Sequence, residues 1–534
     1  MKNSKKVVVF DTTLRDGEQT PSISITPSNK LEIAMELDKL GVNIIEAGSP
    51  ITSKGEREAI KQIVNQNLNA EICSFVRSLP LDIDKALGCN VDSVHIVIPT
   101  SEIHMKYKLK KSKEEIVESA LKSIEYAKEH GLIVELSAED ATRSDPEFLI
   151  KLFKTAEEYH IDRACICDTV GILTPDKSSL LVKKIVENII TPLSIHCHDD
   201  FGMATANTVA GINAGAKECH VTVNGLGERA GNAPIDEVVM TLDKLYNIKS
   251  DIVHSQLSKT SRLISKLVKV PIPANKSIVG ENAFSHEAGI HVDGLIKNTS
   301  TYEPILPEEV GNNRKIILGK HSGKSALKYK LSLMNIGLNN KEFNQVYDKV
   351  KAYGDLGKYI SDIDLKTIIS EIKGVNIAKK VYLDELTVIS GNKVTPLASI
   401  NLKFAEDYNP GGVDSFELSD LSNSFDLEDS TNIRKRGDDR KISKDLKLDN
   451  IREAAYGVGP VDAAINAVRK ALTGVADIEL EGYTVKAVSS GTDALIEVIV
   501  NLRRGNEVVE VKKAHSDIIE ASVEALMDGI NLLL

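Results

Sequence analysis

The chain has 534 residues, of which 42% are hydrophobic and 27% are charged, and its formal net charge is −11. These proportions are typical of a soluble globular protein of two or three domains, and the acidic balance argues against nucleic-acid binding as the main role. No run approaches the 18 apolar residues of a membrane span and the VVVF run is too short for a signal sequence, so we expect a cytoplasmic protein that does not bind membranes.

Strand-like and helix-like segments alternate eight times between residue 6 and about residue 250. The strand candidates, in chain order, are VVVF, IIEAGS, AEICSFV, SVHIVIP, LIVELSAED, ACICDTVG, LSIHCHDD and CHVTVNG. Helix start signals separate them: a capping residue followed by proline at Thr26, Asp145 and Thr174, and a capping box from Ser112 to Glu115 before a helix over 113–130. Eight such units in roughly 245 residues predict a closed α/β barrel, the (β/α)₈ or TIM barrel. A doubly wound open sheet is the alternative, although no GxGxxG motif follows the first strand.

The predicted secondary structure of the second half of the chain changes at about residue 250 and again at residue 373. Residues 250–370 are predicted to be mainly helical with irregular breaks, and their polar, glycine- and histidine-rich stretches indicate a segment that covers the barrel mouth. From residue 373, two units of strands followed by a helix form a weak internal repeat, which predicts a small α+β domain with pseudo-twofold symmetry. We therefore expect a barrel over 1–270, linker subdomains over 271–372 and an α+β domain over 373–534, with a flexible insertion at 405–450.

Polar side chains gather where the first and seventh strands end. Asp16 follows the first strand, and the seventh strand carries His196 and His198 two residues apart, on one face. Strands one, seven and eight are neighbours in a closed barrel of eight, so these groups can converge, and Asn232 after strand eight can add an oxygen ligand. Such a set suits Mn²⁺, Mg²⁺ or Zn²⁺. The alternative interpretation is an ordinary core or surface pair of histidines.

Three further residues fit a reaction beside such a metal. Arg15, next to the first metal ligand, can hold an oxyanion or a carboxylate, although a structural salt bridge to Glu18 or Glu46 would also explain it. Glu139 ends strand five and is a candidate acid, base or positioning residue. Thr169 follows strand six and can offer its hydroxyl to a substrate carboxylate.

Several motifs carry a resemblance to a known enzyme family. These are FDTTLRDGEQ, IEAGSP, SAEDATR, CDTVG, HCHDDFGMATAN, VNGLGERAGNA and SHEAGIHVDG. Together they resemble the 2-isopropylmalate, homocitrate and citramalate synthases, and the similarity covers nearly the whole chain except the insertion. Within this family, EAGSPITSKGEREAI, PTSEIHMKYKL and AYGVGPVDAAINAVRKA are most similar to the archaeal citramalate synthases.

The resemblance implies an acyltransferase that condenses acetyl-CoA with pyruvate to (R)-citramalate and CoA, the first step of the pyruvate route to 2-oxobutanoate and isoleucine. It places the metal on Asp16, His196, His198 and Asn232, gives catalytic roles to Arg15, Glu139 and His291, and gives substrate contacts to Arg15, Thr169 and His95. It also implies a homodimer with a C-terminal regulatory domain, and pathway logic makes isoleucine the expected effector. The loops GVGPVDAA and SSGTDA would contact it, unless they are ordinary turns of a dimerisation domain.

Other functions remain open at this point. The nearest is 2-isopropylmalate synthase, which takes the bulkier 2-oxoisovalerate, and the segments Cys73–Arg77 and His95–Thr100 should decide because added methyl groups need space. Homocitrate synthase comes next, followed by acyl-CoA lyases and biotin-dependent carboxyltransferases on the same barrel. A catalytically silent metabolite sensor is the non-enzymatic alternative, and the intact candidate residues argue against it.

Overall fold

The computed structural model describes residues 6–355, 360–373, 379–405, 450–473, 477–487, 495–505 and 507–534. The chain divides into two compact units, Met1–His286 with Ile290–Ile316, and Glu287–Gly289 with Ile317–Leu534. Within the described ranges, no helix combines the length and the apolar character that crossing a bilayer requires.

The first unit contains the barrel. Its parallel strands follow one another around the closed sheet: β1 (Val8–Asp11), β2 (Ile44–Glu46), β3 (Glu71–Arg77), β4 (Ser93–Pro99), β5 (Ile133–Glu139), β6 (Arg163–Asp168), β7 (Leu193–Cys197) and β8 (Glu218–Val221). The sheet closes because β1 pairs with β8, with Val8 opposite Glu218 and Asp11 opposite Val221. The predicted (β/α)₈ barrel is confirmed, and the open-sheet alternative is wrong.

Helices follow the barrel strands. They are α1 (Pro27–Leu40), α2 (Lys54–Val64), α3 (Pro80–Leu87), α4 (Lys113–Glu129), α5 (Pro146–Glu157), α6 (Pro175–Val186), α7 (Ala204–Ala214), α8 (Ile235–Tyr246) and α9 (Leu257–Val268). Three of the four predicted capping side chains bond to the backbone: Thr26 accepts from the Asn29 amide, Asp145 accepts from the Glu147 amide, and the capping box of Ser112 and Glu115 forms in both directions, whereas Thr174 makes no such bond. Proline follows the capping residue at the start of α1, α5 and α6.

Ionisable side chains occupy the barrel interior. Glu135 of β5 bonds to His220 of β8 at 3.0 Å, and Glu46 of β2 bonds to His95 of β4 at 2.7 Å. Neither pair of strands is adjacent in the sheet, so both contacts cross the interior. All four residues are at most 2% exposed. Buried charges are tolerated only when they are paired, and these pairs meet that requirement.

Short elements and helices follow the barrel, as the sequence predicts for this region. Two very short parallel strands, β9 (Ser285–His286) and β10 (Lys315–Ile316), pair with each other. The helices are α10 (Gly289–Lys297), α11 (Lys324–Leu333), α12 (Asn340–Asp355) and α13 (Asp362–Lys373).

The C-terminal part of the second unit repeats one motif. The antiparallel strands β11 (Val381–Gly391), β12 (Val394–Phe404) and β13 (Asn450–Tyr456) precede α14 (Pro460–Leu472), and β14 (Glu479–Ala487), β15 (Ile496–Arg504) and β16 (Glu507–His515) precede α15 (Ile518–Leu533). Both helices share one apolar core with these sheets, which contains Ile400, Leu402, Val468, Leu526 and Ile530. The predicted α+β repeat is confirmed. The predicted insertion (406–449 of it) and the SSGTDA loop lie outside the described residues.

Candidate active site

A cavity of about 650 Å³ opens where the barrel strands end at their carboxyl termini. Seven of the residues singled out in the sequence line it: Arg15, Asp16, His95, Glu139, Thr169, His196 and His198. Barrels of this type carry their catalytic groups on the loops at this end. The cavity is therefore the candidate active site.

Three side chains from distant parts of the chain meet at the cavity floor. The Nε2 atoms of His196 and His198 lie 3.2 Å apart, and they lie 3.6 and 4.0 Å from Oδ2 of Asp16. All three residues are buried, at 3–7% exposure. The ligand atoms of this trio all lie within 4.8 Å of one another, which is the spacing that one shared cation requires.

The charge state of this trio suits a cation. Burial alone would raise the pKa of Asp16, but the guanidinium of Arg15 opposes it, and that pKa is lowered to about 2. Burial and the neighbouring His198 lower the pKa of His196 well below its usual value, and burial also lowers the pKa of His198. One carboxylate and two neutral imidazoles result, which is the protonation state that metal binding needs.

Asn232, the fourth predicted ligand, lies beside Asp16. Its Nδ2 donates to Oδ1 of Asp16 at 3.1 Å and to the carbonyl of Leu226 at 3.0 Å. Its Oδ1 is buried and has no hydrogen-bond partner among the described residues. An orphaned buried oxygen is costly, and a cation would satisfy it. Gly227 is required beside it, since a Cβ there would lie 2.1 Å from Nδ2 of Asn232.

Arg15 is held in place by its neighbours. Its Nε donates to Oε2 of Glu46 at 2.7 Å, its Nη1 donates to Oδ2 of Asp16 at 2.8 Å, and its guanidinium lies 4.9 Å from the centre of the Phe75 ring. The partner of Arg15 that the sequence left open is thus Glu46, whereas Glu18 pairs with Lys30. Arg15 is both a structural partner and a fixed cation at the cavity.

His95 reaches the same carboxylate from β4. Its Nδ1 lies 2.7 Å from Oε1 of Glu46, and its Nε2 lies 2.5 Å from the hydroxyl of Ser137. Arg15 and His95 outweigh the effect of burial and lower the pKa of Glu46 far below its usual value. His95 therefore lies in the cavity wall and also supports the group that orients Arg15.

The Thr169 hydroxyl is oriented by the backbone. It accepts a hydrogen bond from the amide of Asp140 at 2.8 Å, so its own hydrogen is left to donate. Arg229 fixes the same turn, because it donates to the Thr169 carbonyl at 2.7 Å and to both oxygens of Asp200 at 2.7 and 2.8 Å. A hydroxyl donor at the cavity wall fits a carboxylate ligand.

Glu139 at the end of β5 is paired. Nζ of Lys108 donates to its two oxygens at 2.6 and 2.9 Å, and Nδ1 of His104 lies 3.6 Å from Oε1. The carboxylate thus lines the cavity with both oxygens held by a lysine of the short helical turn between β4 and α4.

His291 lies elsewhere. It is exposed on α10 and stacks on Tyr302, with the ring centres 4.2 Å apart. None of the residues that line the cavity comes from 271–372. The structure therefore gathers the other predicted site residues but does not bring His291 to them.

Three residues that orient groups of the site were not predicted as site residues from the sequence. Glu46 ends β2 in IIEAGS, which is the same strand-end signal that identifies Asp16 and Glu139, but the sequence predicts for it only a possible salt bridge to Arg15. Lys108 lies in a short helical turn between β4 and α4 and Arg229 lies on a loop, where no periodic pattern marks them, and only their contacts with Glu139 and Thr169 reveal them.

Three family models match the chain. HMGL-like matches residues 6–264, the homocitrate synthase post-HMGL domain-like model matches 278–358, and the LeuA allosteric (dimerisation) domain matches 416–534. The first covers the barrel, and the last covers most of the α+β repeat. Together they account for the predicted architecture.

Curated relatives match over the full length. The chain is 60% identical over 528 residues to the (R)-citramalate synthase CimA of Methanocaldococcus jannaschii, with 99% of both chains covered. It is 47% identical to a putative (R)-citramalate synthase CimA of Methanothermobacter thermautotrophicus, over 99% of this chain and 98% of that one. Identity to the 2-isopropylmalate synthase of Methanocaldococcus jannaschii is 45%, over 99% and 95% of the two chains. These matches confirm the expectation of an acyl-condensing enzyme. The chain belongs to the (R)-citramalate synthase family.

Proposed function

We propose that this protein is a metal-dependent (R)-citramalate synthase. It joins the methyl carbon of acetyl-CoA to the ketone carbon of pyruvate, and water then cleaves the thioester to release CoA, as the first step of the pyruvate route to isoleucine. The observation that carries this proposal is the convergence of Asp16, His196 and His198 in one cavity beside Arg15. Full-length similarity to an (R)-citramalate synthase supports it.

The residues present define how the oxo acid would bind. A divalent cation on Asp16, His196, His198 and Asn232, whether Mn²⁺, Mg²⁺ or Zn²⁺, would polarise the ketone for attack. Arg15 stabilises the negative charge that develops on the ketone oxygen, and Glu46 keeps its guanidinium aimed there. The hydroxyl of Thr169 donates to the carboxylate of the oxo acid.

The acetyl methyl group must lose a proton before it attacks. We assign this step to His291, assisted by Glu139 directly or through water. Glu139 lines the cavity, whereas His291 is exposed on α10, so the assignment requires His291 to reach the bound thioester. In D₂O, without oxo acid turnover, wild type should exchange the acetyl methyl protons, and a His291→Gln variant should not. Equal exchange by both would remove His291 from this step.

The cavity wall includes both segments that the sequence predicts to set the size of the oxo acid. Phe75 and Arg77 from β3 and His95, Val97 and Ile98 from β4 line it, so both segments expected to set substrate size do contribute. We infer that this wall accepts the methyl group of pyruvate and excludes the branched side chain of 2-oxoisovalerate.

The C-terminal repeat supports two further proposals. We infer that the protein is a homodimer joined through this domain, because the LeuA allosteric (dimerisation) model matches it. We also infer that isoleucine is the effector, since it is the end product of the proposed pathway. Saturating isoleucine should lower turnover whereas leucine should not, and unchanged turnover with both would remove the effector proposal. A monomer in light scattering would remove the dimer.

A cytoplasmic location is also proposed. All six cysteines are free and buried, which suits a reducing compartment.

One experiment tests the proposed activity. CoA release is measured from acetyl-CoA with pyruvate, 2-oxoisovalerate or 2-oxoglutarate, each with Mn²⁺ or Mg²⁺. Pyruvate should give the highest kcat/KM, and (R)-citramalate should form in equal amount to CoA. A preference for 2-oxoisovalerate would instead assign the 2-isopropylmalate reaction, and absence of oxo-acid-dependent release would identify a non-catalytic sensor.

A further inference from the structure

A single π-helical turn lies beside the cavity. It spans residues 104–109, between β4 and α4, and the residue after it, Lys110, has a left-handed backbone with φ of 55°. Met105 anchors the turn, since its side chain is buried in the barrel core. π-Helical turns are rare and frequently mark functional sites. The side chains of residues 104–109 are therefore candidates for a functional role.

Two side chains of the turn face the end of β5. Nζ of Lys108 bonds to both oxygens of Glu139, at 2.6 and 2.9 Å, and Nδ1 of His104 lies 3.6 Å from one of them. Nε2 of His104 lies 3.7 Å from Asp140. The π-helical turn thus brings a lysine onto the one carboxylate of β5 that lines the cavity.

We propose that Lys108 is a positioning residue for the condensation. It fixes the plane of the Glu139 carboxylate through two hydrogen bonds, so that Glu139 presents a constant geometry to the acetyl group during proton transfer. The inference rests on the proposed function, in which Glu139 assists that transfer. Positioning of this kind matters because small displacements of a catalytic group cost much rate.

The ion pair of Lys108 and Glu139 contributes orientation rather than stability. The Lys108 side chain is 52% exposed and that of Glu139 19% exposed, so their attraction is screened by solvent and adds little to stability. What the pair does provide is a defined orientation of a carboxylate inside a cavity. Loss of Lys108 should therefore change the rate of reaction and leave the folded state almost unaffected.

A different role for Lys108 would be to bind substrate anions itself. Two of the three ammonium hydrogens are already used by Glu139, whereas Arg15 and Thr169 offer donors for the oxo acid. The two roles separate kinetically. A substrate-binding lysine would raise KM when removed, and a positioning lysine would lower kcat.

The test compares substitutions at two lysines of the same turn. Lys108→Met removes the ammonium, Lys108→Arg restores two donors, and Lys106→Met is the matched control because Lys106 stacks over Tyr107 instead. We expect Lys108→Met to lower kcat by about 10- to 100-fold with KM for pyruvate and Tm unchanged. Lys108→Arg should recover most of the loss, and Lys106→Met should behave as wild type.

A double-substitution cycle with Glu139→Gln locates the effect. If Lys108 acts through Glu139, Lys108→Met should add no further loss in the Glu139→Gln background. Additive losses, a normal kcat in Lys108→Met, or a raised KM with kcat unchanged would each overturn the inference. The proposed function fails separately, when the wild-type enzyme shows no pyruvate-dependent CoA release.

Discussion

Arg15 and Glu46 form an ion pair of 2.7 Å between Nε and Oε2 at the inner end of the cavity, and Glu46 is wholly buried. The same carboxylate accepts bonds from the Thr12 hydroxyl at 2.5 Å and faces Nδ1 of His95 at 2.7 Å. The orientation of the guanidinium is therefore set by Glu46 of β2, which is itself held by His95 of β4 and by Thr12 directly after β1. Such preorganisation allows a cation to stabilise developing charge without moving.

Glu46→Gln tests that relationship. The amide keeps the shape of the side chain but leaves Arg15 without its buried counter-charge, so we expect kcat/KM for pyruvate to fall by about 100-fold or more. Breaking a buried pair should also lower the free energy of unfolding by about 3–5 kcal/mol. CoA release measures the first effect, and thermal melting measures the second. Glu58→Gln is the control, because Glu58 is exposed on α2 and pairs there with Lys54. Activity equal to wild type in Glu46→Gln would show that Arg15 needs no anchor.

His220 predicts a pH dependence of stability. Burial opposes its protonation, but Glu135 and Glu218 outweigh burial and raise the pKa of His220 to about 10, while His95 and His196 present only ring edges to it. A raised pKa means that the imidazolium stabilises the fold fully below the unfolded value of 6.5 and that this contribution is lost as pH rises toward 10. The Tm of wild type should therefore fall between pH 7 and pH 9.5.

His220→Gln should remove this pH dependence. The variant should melt at a lower temperature than wild type at pH 7, and the difference should shrink by pH 9.5. His130→Gln is the control, because His130 is exposed at the end of α4. A wild-type Tm that is flat over this range, or a His220→Gln difference that does not change with pH, contradicts the assignment of a charged His220.

Val97→Ala tests the origin of substrate preference. Val97 lines the cavity from β4, and its truncation makes room for about two methyl groups. Since one methylene in such a pocket is worth about 1–3 kcal/mol, the ratio of kcat/KM for pyruvate over 2-oxoisovalerate should fall by about tenfold or more. Val117→Ala on α4, which does not line the cavity, should leave the ratio unchanged. An unchanged ratio in Val97→Ala would place the size filter elsewhere.

The barrel could be predicted because each of its signals is local. An apolar strand that ends in polar residues, then a capping residue and a proline, repeats along the chain and needs no knowledge of distant contacts. The convergence of Asp16, His196 and His198 follows from the same logic, since the strand order of a closed barrel places β1 and β7 on either side of β8.

The remaining features depend on contacts that cross the fold. The pairing of His220 with Glu135 joins opposite sides of the barrel, which periodicity cannot show. The contact of Lys108 with Glu139 depends on a π-helical turn, for which the sequence has no reliable signal. His291 shows the opposite case: its motif predicts a functional role, but its exposed position on α10 could not be read from the motif.

The most direct test of the account is a calorimetric titration of the metal-stripped protein with Mn²⁺. We predict one site per chain in wild type, and affinity lowered by more than about tenfold in His198→Asn and Asp16→Asn, with pyruvate-dependent CoA release lost on chelation and restored by Mn²⁺. His220→Gln is the internal control, because His95, Glu135 and His220 form a second buried trio with ligand spacing among the described residues. Undiminished Mn²⁺ affinity in His198→Asn and Asp16→Asn, or loss of the site in His220→Gln alone, would contradict the account.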